Sequence, residues 1–379
     1  MRRHVLLLVA LAIPAGAAAQ SSQFGVRGLG IPIRPLGPAS LAAGGAYGPF
    51  DFESSLNPAA IGTVFRFATL LTSAQNFRSS TNPFGSASGR DNRFPQLVVT
   101  GPVGLTPFSI AISMSGYTDR NFALGTADTV DLRGSRVAVY DTLSSRGGLS
   151  DLRLAGGWRA KSWLYLGGGF HVITGTNRLD NRRIFADSNY ASAIEQSELS
   201  YLGLGASVGF VARAGDHLAL AASYRNDGHV NIERDTAKIA ETDLPTSWTM
   251  GVRWQPGQKA SMALSYETRN WSSADSGIRA QGGVGAENVY RVSGGFEIVR
   301  DPKNPGHRPL RFGASYGTLP FPLRADHQPH EFGLSVGTGL RFTGGRGGLD
   351  FALQQLWRSD GEGFTERATV FTLGVSIRP

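Results

Sequence analysis

The sequence predicts an all-β chain: a transmembrane antiparallel β-barrel of about 14 strands with an N-terminal plug. Three observations predict it. The chain opens like a secretory leader, apolar and polar residues then alternate with period two nearly to the last residue, and the connections alternate between short and long.

The leader comes first. Arg2 and Arg3 precede an apolar run from Val5 to Ile13, and Ala17-Ala18-Ala19 forms a small-residue cleavage site before Gln20. Residues 1–19 are therefore expected to be a cleaved signal peptide, the run being too short to span a bilayer. Its removal takes the formal charge from +8 to +6, because Arg2 and Arg3 leave with it. No later run reaches the ~18 apolar residues that a membrane helix needs.

Composition excludes several function classes. With no cysteine, the chain has no thiolate metal site, thiol nucleophile or iron–sulfur cluster, and an exported chain must rely on hydrogen bonds and packing rather than disulfides. Its basic residues are mostly arginines dispersed along the chain, so no nucleic-acid partner is expected. Gly203-Leu204-Gly205 is no dinucleotide fingerprint, since it lies inside a strand with its third glycine, Gly209, misplaced. No cofactor is implied.

Fourteen segments then read as strands: about 65–78, 93–101, 108–118, 149–159, 163–175, 196–213, 217–227, 246–255, 259–271, 288–299, 309–317, 329–342, 348–358 and 367–378. In one of them Phe332, Leu334, Val336, Leu340 and Phe342 share a face, while Glu331, Gly333, Ser335, Gly337, Gly339 and Arg341 share the other. The gaps 102–107, 160–162, 215–216, 256–258, 300–308 and 343–346 are mostly short. Those near 79–92, 119–148, 176–195, 228–245, 272–287, 318–328 and 359–366 are longer, more polar loops.

A soluble sandwich also alternates, but its loops need not alternate in length. An outer-membrane barrel has short periplasmic turns, long outer loops, an even strand count, lipid-facing apolar rows and a polar lumen. Arg153, Arg159, Arg225, Arg253, Glu267, Arg291, Glu297, Arg311, Arg341 and Asp350 all fall on the polar face. Tyr117, Trp158, Trp163, Tyr224, Trp248, Trp254, Trp271, Tyr316 and Trp357 stand near segment ends, as an interfacial girdle would. Residues 65–379 are thus expected to form the barrel, which ends on Ile377-Arg378-Pro379 where such barrels commonly end on an aromatic residue.

Residues 20–64 remain. Their glycines and prolines deny them long regular structure, yet Phe24, Leu29, Ile31, Leu36, Phe50 and Ile61 need burial. A fourteen-strand lumen is wider than its own side chains can fill, so the segment is expected inside it as a plug. Gly44, Gly45 and Gly48 supply its turns. Asn57, Pro58 and Ala59 make the corner where plug becomes barrel, because Asn before Pro is pushed out of the helical region and its side chain can bond the backbone beyond.

The stretch SLAAGGAYGPFDFESSLNPAAIG (residues 40–62) resembles the hatch signature of the FadL-like long-chain fatty-acid transporters: a Gly-rich run, an acidic pair, then Asn57-Pro58-Ala59 before the first strand. DLPTSWTMGVRWQP (243–256) looks like another stretch of that family. The resemblance is specific over about thirty residues and architectural over the rest, and the strand count agrees. It implies an outer-membrane channel of a Gram-negative cell for passive uptake of hydrophobic, fatty-acid-like molecules, with release through a gap in the wall. The same opening occurs in PorV-like barrels that act as protein-secretion shuttles or scaffolds, and a nonspecific porin is a third reading.

Under these readings the partners are outer-membrane lipid, a hydrophobic small-molecule ligand and the barrel-assembly machinery, with the protein a monomer. Arg153, Arg253 and Arg341 point inward by parity and could hold a ligand carboxylate, the alternative being that lumenal arginines and carboxylates pair with one another. Gly116 is a candidate wall kink. His327 and His330 are read as solvated loop residues, not a metal pair. No Ser-His-Asp set can be assembled from spacing, His171 being the only histidine well inside a strand, so the chain is not expected to be an enzyme.

Overall fold

The computed structural model describes residues 22–378 apart from 84, 235–236, 281–283 and 301–307; the expected signal peptide lies outside the described residues. The strands are β1 (Ala68–Asn82), β2 (Gly85–Arg93 and Gln96–Pro102), β3 (Phe108–Asp119 and Phe122–Leu132), β4 (Ser135–Lys161), β5 (Leu164–Phe185), β6 (Ala193–Ala214), β7 (Leu218–Asn226 and His229–Arg234), β8 (Ala237–Asp243 and Thr246–Trp254), β9 (Ala260–Arg269), β10 (Val289–Ile298), β11 (Leu310–Thr318), β12 (His330–Phe342), β13 (Gly347–Ser359) and β14 (Thr365–Ile377). Each pairs antiparallel with the next, and β14 returns to β1 from Thr365↔Thr81 to Ile377↔Thr69. The barrel is closed with fourteen strands.

The alternation sorts as its chemistry demands. Phe332, Leu334, Val336 and Phe342 are exposed on the outer surface, while Glu331 and Ser335 are buried inside. Leu152, Leu154, Leu202, Leu204, Met250 and Leu264 extend the same apolar band around the wall. A continuous band of this kind is stable only against acyl chains, and ring closure leaves no unpaired edge in hydrocarbon except where the site described below interrupts it. No helix among the described residues is long and apolar enough to cross a membrane, so strands do the crossing.

Two expectations need correction. Much of 79–92, 119–148, 176–195 and 228–245 is strand rather than loop: β3 and β4 stay paired as far as Leu132↔Ser135, and β5 and β6 as far as Arg183↔Ala193. These hairpins project past the apolar band. There both faces meet water or polar neighbours, so the ladder persists while the alternation fades, as in Thr126-Ala127-Asp128-Thr129. Tyr117 and Trp271 are not girdle residues, being 4% and 0% exposed. Trp271 follows β9 in a short 3-10 turn (Trp271–Ala274) and packs within the barrel between Tyr117 and Phe321, at ring separations of 6.4 and 5.1 Å. Trp158, Trp163, Trp248 and Trp254 do face outward.

Candidate functional site: the filled lumen and the β2–β3 seam

The N-terminal segment touches inward positions around the ring. Tyr47 Oη lies 2.7 Å from Ser261 Oγ on β9, Ser55 Oγ 3.3 Å from Ser113 Oγ on β3, and Leu56 O accepts from Ser223 on β7 (2.8 Å). Short turns replace long elements, as proline and glycine dictate. A five-residue helix, Pro38–Ala42, starts on proline, and Gly44 and Gly45 then take φ of +69° and +88°, open to glycine but strained for other residues. Gly48 serves packing instead: a Cβ there would lie 2.6 Å from Leu36 and 2.8 Å from Leu56.

Asn57 builds the corner. Its Oδ1 accepts from Ala59 N–H (3.0 Å), capping the 3-10 turn Pro58–Thr63. Its Nδ2 donates to Pro49 O (3.0 Å) and to Phe210 O of β6 (3.1 Å), so one side chain ties two parts of the segment to the wall. Ala59 is fully buried against β5, where a Cβ on Gly167 would lie 2.4 Å from Ala59 N. Gly157 stands likewise over Gly62 N (2.2 Å) and Gly313 over the Ala43 carbonyl carbon (2.3 Å). These inward glycines are wall positions where the segment's backbone comes too close for any side chain, a role their alternation with apolar residues does not reveal.

Among the described residues, the ladder between β2 and β3 stops short within the wall. The β2–β3 ladder runs from Pro102↔Ser109 to Gln96↔Ser115 and ends with Gly116 N–H donating to Pro95 O (3.0 Å). Above it Pro95 has no N–H to give, and the β3–β4 register shifts between Gly116 and Thr118, leaving Tyr117 as the extra residue of a bulge. Beyond, Gly85–Arg93 pairs only with β1 and Phe122–Leu132 only with β4. The vacated edge of β3 takes the N-terminal segment instead: Ile31 and Pro32 pair with Asp119 and Thr118, and Ile33 N–H donates to Tyr117 O (2.8 Å). Arg93 closes on Asp119 across the gap as an ion pair.

Two spaces adjoin this seam. Inside, a cavity of about 160 Å³ is lined by Ile31, Ile33, Leu41, Leu319, Leu356 and Val370, with Arg78, Arg93 and Asp119 at its seam edge. Toward the hairpin ends, a cleft of about 230 Å³ is lined by Gln23 and Val26, by Arg78, Ser80 and Asn82 on the inward row of β1, and by residues 85–89 and 122–125 on either side of the gap. Arg78 lines both. A third, more polar space of only about 20 Å³ reaches Gly116, Tyr117, Asp151, Arg225 and Asp227, with Ile33 lining it as well as the first.

Lumenal charges mostly satisfy one another. Glu331 takes Arg291 (2.8 Å) and Arg358 (2.7 Å), and Asp350 takes Arg311 (3.0 Å) and Arg341 (2.7 Å). The three arginines singled out by parity are not brought together. Arg341 of β12 is held by Asp350; the Arg253 guanidinium of β8 stands 5.4 Å from the Phe50 ring; Arg153 of β4, fully buried, donates through Nε to Ser113 (3.2 Å) while both Nη atoms lack a hydrogen-bond partner. In the N-terminal segment, burial pushes the Glu53 carboxyl up to about 7, and the nearby Asp51 adds to this, against the pull of Arg378, whose Nη2 lies 3.0 Å from Glu53 Oε1. Burial, aided by Arg291, lowers the Arg34 guanidinium to about 10.

The lumen also holds a set that spacing conceals. Register across β4, β5 and β6 places Asp151 Oδ1 2.9 Å from His171 Nδ1, and His171 Nε2 2.9 Å from Ser207 Oγ. A Ser-His-Asp line therefore exists, contrary to the reading from spacing, because cross-strand neighbours depend on a register that sequence separation does not encode. Chemically it is closed: Asp151 is shared with Arg225 (2.6 Å), Ser207 is 5% exposed, and neither His171 nor Ser207 lines any cavity named above. From Arg225 the network continues through Asp227 (2.6 Å) to the Tyr117 hydroxyl (2.8 Å), at the bulge. His330 stands at the start of β12 with its ring 6.2 Å from that of Tyr316; His327 precedes that strand.

No protein-family profile and no curated protein matches the sequence. Solved structures do match. A FadL homologue of Pseudomonas aeruginosa superposes with a TM-score of 0.62 at 13% identity, over 92% of this chain and 99% of that one. The toluene transporter TodX of Pseudomonas putida gives 0.58 at 12% identity (92% and 99%), and the toluene transporter TbuX of Ralstonia pickettii gives 0.57 at 13% (91% and 98%). At such identities the likeness is one of fold. At that level the barrel architecture expected from the FadL-like resemblance is the one observed.

Proposed function

We propose that this protein is an outer-membrane channel for passive uptake of hydrophobic small molecules, with residues 1–19 a signal peptide, 20–64 a plug and 65–379 the barrel. Cargo enters from the long-hairpin end, rests in the cavity lined by Ile31, Ile33 and Leu319 above the plug and leaves sideways between β2 and β3 into the membrane. The observation that carries this reading is the unpaired seam above Pro95 and Gly116, with a largely apolar cavity behind it and a cleft at the hairpin end of the gap. A hydrophobic solute gains nothing from an aqueous axial route, whereas a side exit delivers it to hydrocarbon directly. Gly116 is the wall kink in this scheme.

The filled lumen argues against a nonspecific porin, and the neighbours named above as toluene transporters support cargo of hydrophobic character. No cofactor or catalytic step is involved. Assembly by the barrel-insertion machinery and a monomeric state complete the proposal.

The test uses the absence of native cysteine. Cysteines placed at Arg93 and Asp119 and joined by a short bismaleimide should bar uptake of a labelled hydrophobic compound, while either single cysteine treated alike should not. Unchanged uptake in the joined protein would refute the side exit.

A further inference from the structure

The rim opposite the long hairpins is not uniform. Its turns at 215–217, 256–258 and 343–346 are polar, whereas the β2–β3 turn carries Leu105 at its tip with the side chain entirely exposed. Val103 N–H donates to Phe108 O (2.8 Å) and Thr106 N–H to Val103 O (3.1 Å), and Pro102 and Pro107 flank the tip, so a rigid turn holds it out. More apolar surface adjoins it. Phe65 and Phe67 precede β1 at 60% and 47% exposed, and Phe108 of β3 stacks on Trp158 of β4 with ring centroids 6.1 Å apart. Cations edge this patch. The Arg159 guanidinium lies 4.2 Å from the centroid of the Phe65 ring, Lys161 Nζ lies 5.5 Å from that of Trp163, and Arg66 is exposed between the two phenylalanines. Residues 65–67, 102–108 and 158–163 contain no carboxylate.

We propose that the β2–β3 turn is an anchor that dips into the periplasmic leaflet of the outer membrane and grips anionic phospholipid there. Val103 and Leu105 sit among the upper acyl chains, and Arg66, Arg159 and Lys161 meet the lipid phosphates. The same tip could serve a protein partner, but a basic collar free of carboxylates, with tryptophans at the level of an interfacial girdle, matches a lipid surface better. The anchor has a mechanical consequence. From Pro102 to Gln96 the ladder climbs about 20 Å along the strand, at ~3.3 Å per residue. A turn fixed at the foot therefore holds the end of the ladder within the ~30 Å hydrocarbon core instead of at its surface. This inference rests on the outer-membrane reading and names a lipid class for it, independently of cargo and of the side exit.

The experiment uses the cysteine-free chain, with Leu105→Cys or Gln258→Cys carrying one nitrobenzoxadiazole label, in lipid nanodiscs whose two rims are both open to added iodide. In discs of phosphatidylcholine with phosphatidylglycerol, iodide quenching should be several-fold weaker at position 105 than at position 258, and headgroup-proximal doxyl lipid should quench the first label and spare the second. Without phosphatidylglycerol, or with Arg66→Gln and Lys161→Gln together, protection at position 105 should shrink. Heat-modifiable electrophoretic mobility reports whether each variant is a folded barrel; if the charge variant is not, the comparison of lipids on Leu105→Cys alone decides the matter. Equal iodide quenching at the two positions, the result expected if the tip awaits a periplasmic protein, overturns the anchor. Protection that is indifferent to phosphatidylglycerol overturns the grip on anionic headgroups. Either failure leaves the channel standing, since uptake is measured separately.

Discussion

Gly116 N–H donates to Pro95 O at 3.0 Å, and above that bond β2 and β3 share no backbone hydrogen bond. A residue without an N–H and a bulge at the facing strand stop the ladder together, so repairing one leaves the other. Pro95→Val alone is expected to change uptake little. Pro95→Val with Tyr117 deleted, which removes the extra residue, should extend the pairing and slow uptake of hydrophobic cargo several-fold; hydrogen exchange at Phe94 and Thr118 reads whether the ladder has lengthened.

The inward glycines fix how closely segment and wall can meet. A Cβ at Gly313 would lie 2.3 Å from the Ala43 carbonyl carbon, and one at Gly167 2.4 Å from Ala59 N. Backbone cannot turn aside as a flexible side chain can. Gly313→Val or Gly167→Val should cost about 1–3 kcal/mol and loosen the segment. Planar-bilayer recordings should then show a raised, fluctuating ion conductance in place of a nearly closed baseline.

Asn57 holds three contacts with one amide. Asn57→Ala removes the cap on Ala59 and the donors to Pro49 and Phe210, an expected loss of about 2–4 kcal/mol. Asn57→Asp keeps the cap acceptor and loses the donors, and should fall between. Thermal unfolding in detergent gives the order, and limited proteolysis of residues 22–64 shows whether the segment loosens before the barrel.

Glu53 makes the seat of the segment pH-dependent. Its carboxyl rises from 4.5 to about 7 on burial, so the seated segment binds the proton more tightly than the released one. The resulting stabilisation is fully present below pH 4.5 and is lost as pH rises through 7. Protease resistance of residues 22–64 should therefore be greater at pH 5 than at pH 8, and Glu53→Gln should flatten the difference.

Legibility in the sequence followed physical range. Strand number and inward or outward facing were readable because the period-two pattern is local, and Phe332 to Phe342 carry it without reference to any partner. The hairpin extensions were missed where lipid stops enforcing the pattern. Tyr117 and Trp271 look like any girdle aromatic until the bulge and the turn after β9 bring both inside. The corner at Asn57 was legible from Asn-Pro chemistry, whereas its bond to Phe210 O and the line Asp151–His171–Ser207 depend on register between distant strands. The place where the ladder stops was not legible: Gly116 was one candidate kink among fifty glycines, and nothing local says that Pro95 faces it.

The contact of wall glycines with the segment's backbone has a bearing on how the molecule is made. Where Ala43, Ala59 and Gly62 meet wall glycines backbone to backbone, the wall has no side chain of its own to fill the space should the arm be missing. A chain lacking residues 22–64 would leave those bare glycine faces open to water, and the share of it recovered as heat-modifiable barrel should fall.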